Sequence, residues 1–145
     1  MDKRDVMAAL EATIEDSKTA VLATVDRENR PHIRWVVPGC LRDRPGAIYT
    51  VSASHFPKIE QLLNNPRVEM MFQTRSLDKI VNVRGRMNIL DNPSIRAEVL
   101  ECLASRLRAF WKANVPAGDL VVLELVMEEA TYYSPMDGVR MTIQM

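Results

Sequence analysis

The sequence predicts a mainly β protein with flanking helices, an antiparallel sheet of about six or seven strands that curls into a barrel. Three observations support this class. Short apolar runs recur along the chain, each bounded by polar or Pro- and Gly-containing breaks. Only three segments show a helical repeat. Most breaks between consecutive runs are tight turns, too short for the crossovers that parallel neighbours require. The length of 145 residues suits one domain with a genuine core, so residues 1–145 are read as a single unit.

The elements follow in order. Val6, Leu10 and Ile14, with Met7 beside them, form one apolar stripe and predict a helix over about residues 3–16. "KTAVLATV" is a buried strand that breaks at the polar turn "DRENRP". "HIRWVVPGCL" resumes the extended pattern, with Pro38 and Gly39 marking a bend or bulge. If the next turn, "RDRPG", is a hairpin, strands two and three are neighbours. "AIYTVS" is strand three, followed by a short helix with Pro57 in its first turn and Leu62 and Leu63 inside. "NNP" ends that helix.

"RVEMMFQT" and "KIVNVRGRMNIL" are two further strands. In the second, Val81 and Val83 alternate with Asn82 and Arg84, the period of a sheet with one wet face, and Gly85 marks a bulge. Asn92 as cap and Pro93 announce the longest helix, striped by Ile95, Val99, Leu103, Leu107 and Phe110. After "VPAGD", "LVVLELVM" is a strong strand and "ATYYS" its shorter partner. The tail beyond them either packs weakly or waits for another subunit.

A hydrophobic fraction of 47%, a charged fraction of 26% and a formal charge of +0 exclude long-range attraction to nucleic acid or anionic membrane. No apolar run approaches the roughly 18 residues of a membrane span, and the first residues mix acids and bases where a signal peptide would be apolar. The expectation is a cytoplasmic protein that partners neither nucleic acid nor membrane. Cys40 and Cys102 lack metal-site or disulfide-framework spacing and are expected to be reduced and buried.

The chemistry concentrates at "TVSASHFPKIEQLLNNP", residues 50–66. Lys58 stands in the opening turn of a helix, where the macrodipole makes a positive charge unwelcome. Ser52 and Ser54 can donate hydroxyls there, the helix start can donate N–H groups, and Lys58 becomes favourable once phosphate is bound. Arg34 interrupts an apolar strand, and arginine is rarely fully buried without a partner. If the two strands are neighbours, Arg34 and Lys58 converge on one dianion. The plainer alternative leaves both solvated, since the dipole term is only about 0.3–1 kcal/mol at an exposed site.

The order "AVLATVDRENRPHIRWVV", "AIYTVSASHFPKIEQLLNNPRVEMMF", "VNVRGRMNIL" and "DLVVLELVMEEATYYS" resembles the flavin-binding split-barrel superfamily of pyridoxamine phosphate oxidase, in particular its general-stress-protein branch. The resemblance covers about Thr19 to Ser134. It implies flavin mononucleotide (FMN) at the interface of a homodimer and a small-molecule electron donor or acceptor. It places the strand-two arginine on Arg34, a hydroxyl residue on Ser52, a backbone contact to the isoalloxazine on Val51 and the helix lysine on Lys58.

Three departures matter. Pro57 stands where the family often has an arginine, and Ile80 where a glutamine is common. The arginine-rich C-terminal signature that holds pyridoxal phosphate has no counterpart in "SPMDGVRMTIQM", which argues against vitamin B6 oxidation.

Among other candidates, His32 and His55 are the only histidines and lack the acidic spacing of a metal site, so His55 is read as lining the phosphate loop. Trp35 and Trp111 could stack on flavin or substrate, or fill core or dimer interface. Trp111 is favoured for the cofactor, because the general-stress branch tends to carry an aromatic motif after the last long helix. Two functions follow. One is an FMN-dependent oxidoreductase with Arg34, Ser52, Ser54 and Lys58 on phosphate and ribityl and no side chain acting as general acid or base. The other is a non-catalytic flavin carrier or stress-response module, or a split barrel that takes deazaflavin or haem.

Overall fold

The computed structural model describes residues 1–110 and 119–145. Among them the chain runs α1 (Lys3–Ser17), β1 (Ala20–Val25), β2 (Pro31–Val36), β3 (Ala47–Ala53), α2 (Pro57–Asn64), β4 (Arg67–Gln73), β5 (Ile80–Leu90), α3 (Pro93–Phe110), β6 (Leu120–Ser134) and β7 (Val139–Gln144). The strands form one seven-stranded sheet in the order β2-β1-β4-β5-β6-β3, with β7 paired to β6 off that path. The named pairings are all antiparallel. Among the described residues no helix is long and apolar enough to cross a membrane.

Local chemistry sets the helix ends. Asp2 caps α1 by accepting the Asp5 N–H at 3.1 Å, and Asp5 returns the bond to the Asp2 N–H at 2.8 Å. The Asn92 Oδ1 accepts the N–H groups of Ser94 and Ile95 at the start of α3. The stripe on α1 is buried as its spacing predicts, with Val6, Leu10 and Ile14 in the main core. That core lies inside the sheet, around Leu22, Ile48, Met70, Phe72, Val83 and Leu125. A second, smaller core joins Val37, Tyr49, Val51 and Val122 to Val99 and Leu103 of α3.

The sheet closes at its ends. Just past β2, Gly39 exchanges both backbone hydrogen bonds with Tyr49 of β3, each 2.8 Å long. A Cβ at position 39 would lie 2.6 Å from the Leu103 Cδ2, so only glycine lets the strand and α3 approach this closely. This contact replaces the expected β2–β3 hairpin. β2 pairs only with β1, and β3 runs beside β6 from Ala47↔Val126 to Ala53↔Leu120. The reason is burial. Every residue of β3 is buried, which requires a long partner strand and cover on both faces, and a hairpin with the half-exposed β2 supplies neither.

Four further expectations are corrected. "LVVLELVM" and "ATYYS" are one strand, because the paired glutamates between them stay wet while the ladder continues. The register passes from Arg84↔Glu129 to Gly85↔Met127, so the extra residue is Glu128 on β6, opposite the predicted bulge at Gly85. The tail is an ordered strand, β7, paired with β6 from Ser134↔Val139 to Glu129↔Gln144. Cys40 and Cys102 are exposed and free. Cys40 sits in the connection after the seam, and on α3 it is the adjacent Leu103 that turns inward.

Gly85 gives the first testable outcome. A Cβ there would lie 2.0 Å from the Val126 carbonyl oxygen, a backbone atom that cannot yield cheaply. Gly85→Ala is therefore expected to destabilise the fold by about 1–3 kcal/mol. Urea denaturation of the two proteins measures it, and an unchanged midpoint would contradict the bulge geometry.

Candidate anion site at the strand-to-helix junction

β3 ends at Ala53 and α2 begins at Pro57, with Phe56 as the N-cap residue and no side-chain cap. Pro57 carries no N–H, and the Lys58 N–H finds no acceptor among the described residues. The open end of α2 therefore presents an unneutralised partial positive charge.

Arg34 reaches this junction by a different route from the one its sequence position suggests. In the β1–β2 ladder it stands opposite Leu22, on the inner face of the sheet. Its Nη1 donates to the Leu22 carbonyl at 3.1 Å and its Nη2 to the Gln61 Oε1 at 3.2 Å. The same Gln61 oxygen accepts the buried Thr24 hydroxyl at 2.6 Å. Gln61 lies one turn after Lys58 on α2, so it ties the guanidinium to the helix that bears the lysine.

Lys58 is half-buried, with its Nζ 4.8 Å from the centre of the Phe56 ring. Among the described residues no carboxylate pairs with Arg34 or Lys58, although ion pairs are numerous elsewhere. Burial first, and the charge of Arg34 second, push the Lys58 pKa down from 10.5 to about 8. Burial also lowers that of Arg34. Lys58 is thus partly desolvated and feels the charge of Arg34, and among the described residues no carboxylate pairs with either cation.

The other candidate residues fall in different places. Ser52 is fully buried, and its hydroxyl donates to the Ala53 carbonyl at 3.0 Å. Ser54 is exposed, and its N–H donates to the Asp119 carbonyl. The Val51 side chain packs in the second core, away from the cations. Its backbone is placed otherwise. Alternate residues of a ladder direct their N–H and C=O groups to the same edge, and Tyr49 spends its pair on Gly39. Val51, two residues on, points its pair at that edge beyond the seam, where no described residue bonds them. His55 packs edge-on against Phe56, with ring centres 5.1 Å apart. Trp111 lies outside the described residues.

Sequence reading missed Gln61, Thr24 and Phe56. The first had a signal, being a polar residue on the same helix face as Lys58, but its acceptor role depends on β1, which nothing local reveals.

The electrostatics set a pH window. Between about 8 and 10.5 the unfolded chain holds a proton that folded Lys58 has released, so the ligand-free protein gains stability as pH rises through that range. A bound dianion reverses the preference by holding the ammonium charged. Affinity for a phosphate monoester is therefore expected to be greatest between about pH 6, where the monoester becomes a dianion, and about pH 8, and to fall above it. Calorimetric titration across pH checks this. Lys58→Met should bind roughly tenfold more weakly at neutral pH, about 1.4 kcal/mol, and lose the dependence. A flat wild-type profile would count against the site.

Comparison with known proteins places this geometry in a lineage. Residues 6–134 match the family model described as pyridoxamine 5'-phosphate oxidase. The chain is 32% identical over 106 residues to the pyridoxine/pyridoxamine 5'-phosphate oxidase of Escherichia coli K12, an alignment that covers 73% of this chain and 46% of that protein. The chain therefore spans about half the length of the curated relatives it matches.

Among solved structures, a Clostridium acetobutylicum protein related to general stress protein 26 of B. subtilis superposes with a TM-score of 0.75 at 16% identity, covering 100% of this chain and 97% of that one. A pyridoxamine 5'-phosphate oxidase-related, FMN-binding protein of Nostoc punctiforme gives 0.73 at 15% identity, covering 99% and 95%. At such identities these likenesses establish the fold, a split barrel. The family-model match across most of the chain establishes the lineage: this protein belongs to the pyridoxamine 5'-phosphate oxidase family.

Proposed function

We propose that the chain binds FMN and acts as a flavin-dependent oxidoreductase in the cytoplasm, with Arg34 and Lys58 on the phosphate. The observation that carries this reading is the convergence of those two cations, without a carboxylate, at the open start of α2. A phosphate dianion satisfies both charges and the free N–H of Lys58 together. The description of the Nostoc relative as FMN-binding supports the same ligand.

The residues fit a flavin nucleotide beyond its phosphate. Ser54 is exposed beside the junction to meet the ribityl hydroxyls, and Ser52 joins it if its hydroxyl turns from the Ala53 carbonyl. The unpaired backbone groups of Val51 lie at a strand edge, suited to the polar rim of the ring. Trp111 is assigned to the second subunit's contribution. The flavin supplies the electron chemistry when bound, and the protein supplies anchoring and a cleft. Pro57 offers neither a guanidinium nor an N–H, so the phosphate is held by fewer groups than where an arginine precedes the lysine. Val139–Gln144, with its one arginine, Arg140, is spent on β7.

The cleft is proposed to form in a homodimer. Ile33 and Trp35, 72% and 57% exposed, lie on the outer face of β2. Across the same face, the Asn82 Oδ1 is buried with no hydrogen-bond partner among the described residues. Apolar exposure on the same face as an unsatisfied buried acceptor suits a surface completed by a second copy.

The absorption spectrum and elution volume of the purified protein test both parts. A flavin spectrum is expected in a dimer-sized species, bleached by NAD(P)H and restored by an acceptor, and Arg34→Gln should lose most of the bound flavin. Bleaching by dithionite alone would leave a carrier and remove the turnover, while a Soret band or failure to bind added FMN would reject the flavin. Ile33→Glu is expected to give monomer, and an unchanged elution volume would place the interface elsewhere.

A further inference from the structure

The flavin reading uses neither cysteine, yet the fold brings Cys40 and Cys102 together. Cys40 directly follows the seam residue Gly39, and Cys102 lies on α3. The Cys102 thiol donates weakly to the Cys40 carbonyl, with sulfur and oxygen 3.6 Å apart. That oxygen is about 2.4 Å from its own Cα, so the sulfur lies within about 6 Å of the Cys40 Cα. A Cβ built on Gly39 would stand 3.1 Å from the same sulfur, which confirms that the α3 thiol presses on the backbone beside Cys40.

Both cysteines line one cavity of about 190 Å³, together with Glu11 and Glu15 of α1, Gly39, and Arg106 of α3. Both residues are also exposed, so an oxidant reaches them. α3 already grips this connection noncovalently, since the Arg106 Nη1 donates to the Pro38 carbonyl at 2.8 Å.

We propose that Cys40 and Cys102 form a reversible disulfide that locks α3 to the barrel seam under peroxide. The Cys102 thiolate attacks hydrogen peroxide, breaking the O–O bond and releasing hydroxide, and becomes a sulfenic acid. The Cys40 sulfur then attacks that sulfur, forming the S–S bond and expelling water, its thiol proton leaving with the oxygen. In sum two thiols are oxidised and one peroxide is reduced to two waters. Cys40 suits the second role. Although the residue is exposed, its thiol is partly desolvated at the cavity, which with the charge of Glu11 pushes its pKa up to about 11, so near neutral pH it is a thiol and reacts slowly with peroxide.

The bridge joins residues 62 apart in sequence, so it removes considerable freedom from the unfolded chain. The test treats the full chain with hydrogen peroxide, alkylates remaining thiols and maps the peptides. An intramolecular Cys40–Cys102 link is expected, with both thiols lost together, restored by dithiothreitol, and accompanied by a higher unfolding midpoint. Cys40→Ser and Cys102→Ser should each abolish the link, and Cys40→Ser should leave Cys102 to trap a sulfenic-acid reagent. Their circular dichroism should match the parent, since both sites are exposed. Thiols that stay alkylatable, oxygen added to either cysteine without a link, or bridges formed only between chains would each overturn the proposal.

Discussion

The mutual hydrogen bonds of Gly39 and Tyr49 hold together the two ends of a sheet whose order would otherwise leave β2 and β3 as open edges. Much else follows from that closure. It permits Leu103 of α3 to lie against a backbone with no side chain, and so sets the second core around Tyr49 and Val51. The inner face of β2, with Arg34, meets the helix that follows β3 by a separate route, through β1 and Gln61. The closure also ends abruptly. Beyond Tyr49 the edge of β3 has no described strand beside it, and Val51 is left with polar backbone groups directed outward. Barrels remove edges by closing, and this one leaves β3 unpaired on that side beyond Tyr49 among the described residues.

The junction carries a cost in stability. Exposed charges elsewhere pair in ordinary fashion, as Arg84 does with Glu69 and Glu129. Arg34 and Lys58 are instead drawn partly out of water and toward one another, with Gln61 able to satisfy a donor but not a charge. Such an arrangement destabilises the fold and persists because surrounding packing enforces it. The Gln61 oxygen that takes both Thr24 and Arg34 is the means, since it fixes α2 and β2 to β1 together.

What the sequence discloses and what it hides divide along physical lines. Helix stripes, the Asn92 cap and the alternation in β5 are local patterns, and all are legible because their causes lie within a few residues. Strand partnership has no such local cause. The turn "RDRPG" reads as a hairpin, and only the complete burial of β3 shows that it pairs with β6, some seventy residues away. The bulge was visible at Gly85, but the inserted residue, Glu128, was not, because a register slip is shared between strands. Arg34 and Lys58 stand out in the sequence as two oddly placed charges, but the route that ties Arg34 to α2, through β1 and Gln61, has no local signature. The exposure of Cys102 has no local signature, because it neighbours Leu103, which with Val99 turns inward from α3.

β6 is the shared partner of β5, β3 and β7, and its 15 residues come late in the chain. On the ribosome, β3 and β5 must therefore wait through the making of α3 before their common neighbour emerges. During that interval "AIYTVSA", buried at every position in the finished protein, is a flat apolar strand with both edges bare. Nascent chains of this shape are where strand-to-strand aggregation begins, so the yield of native protein should depend on how quickly translation delivers the strand that covers it.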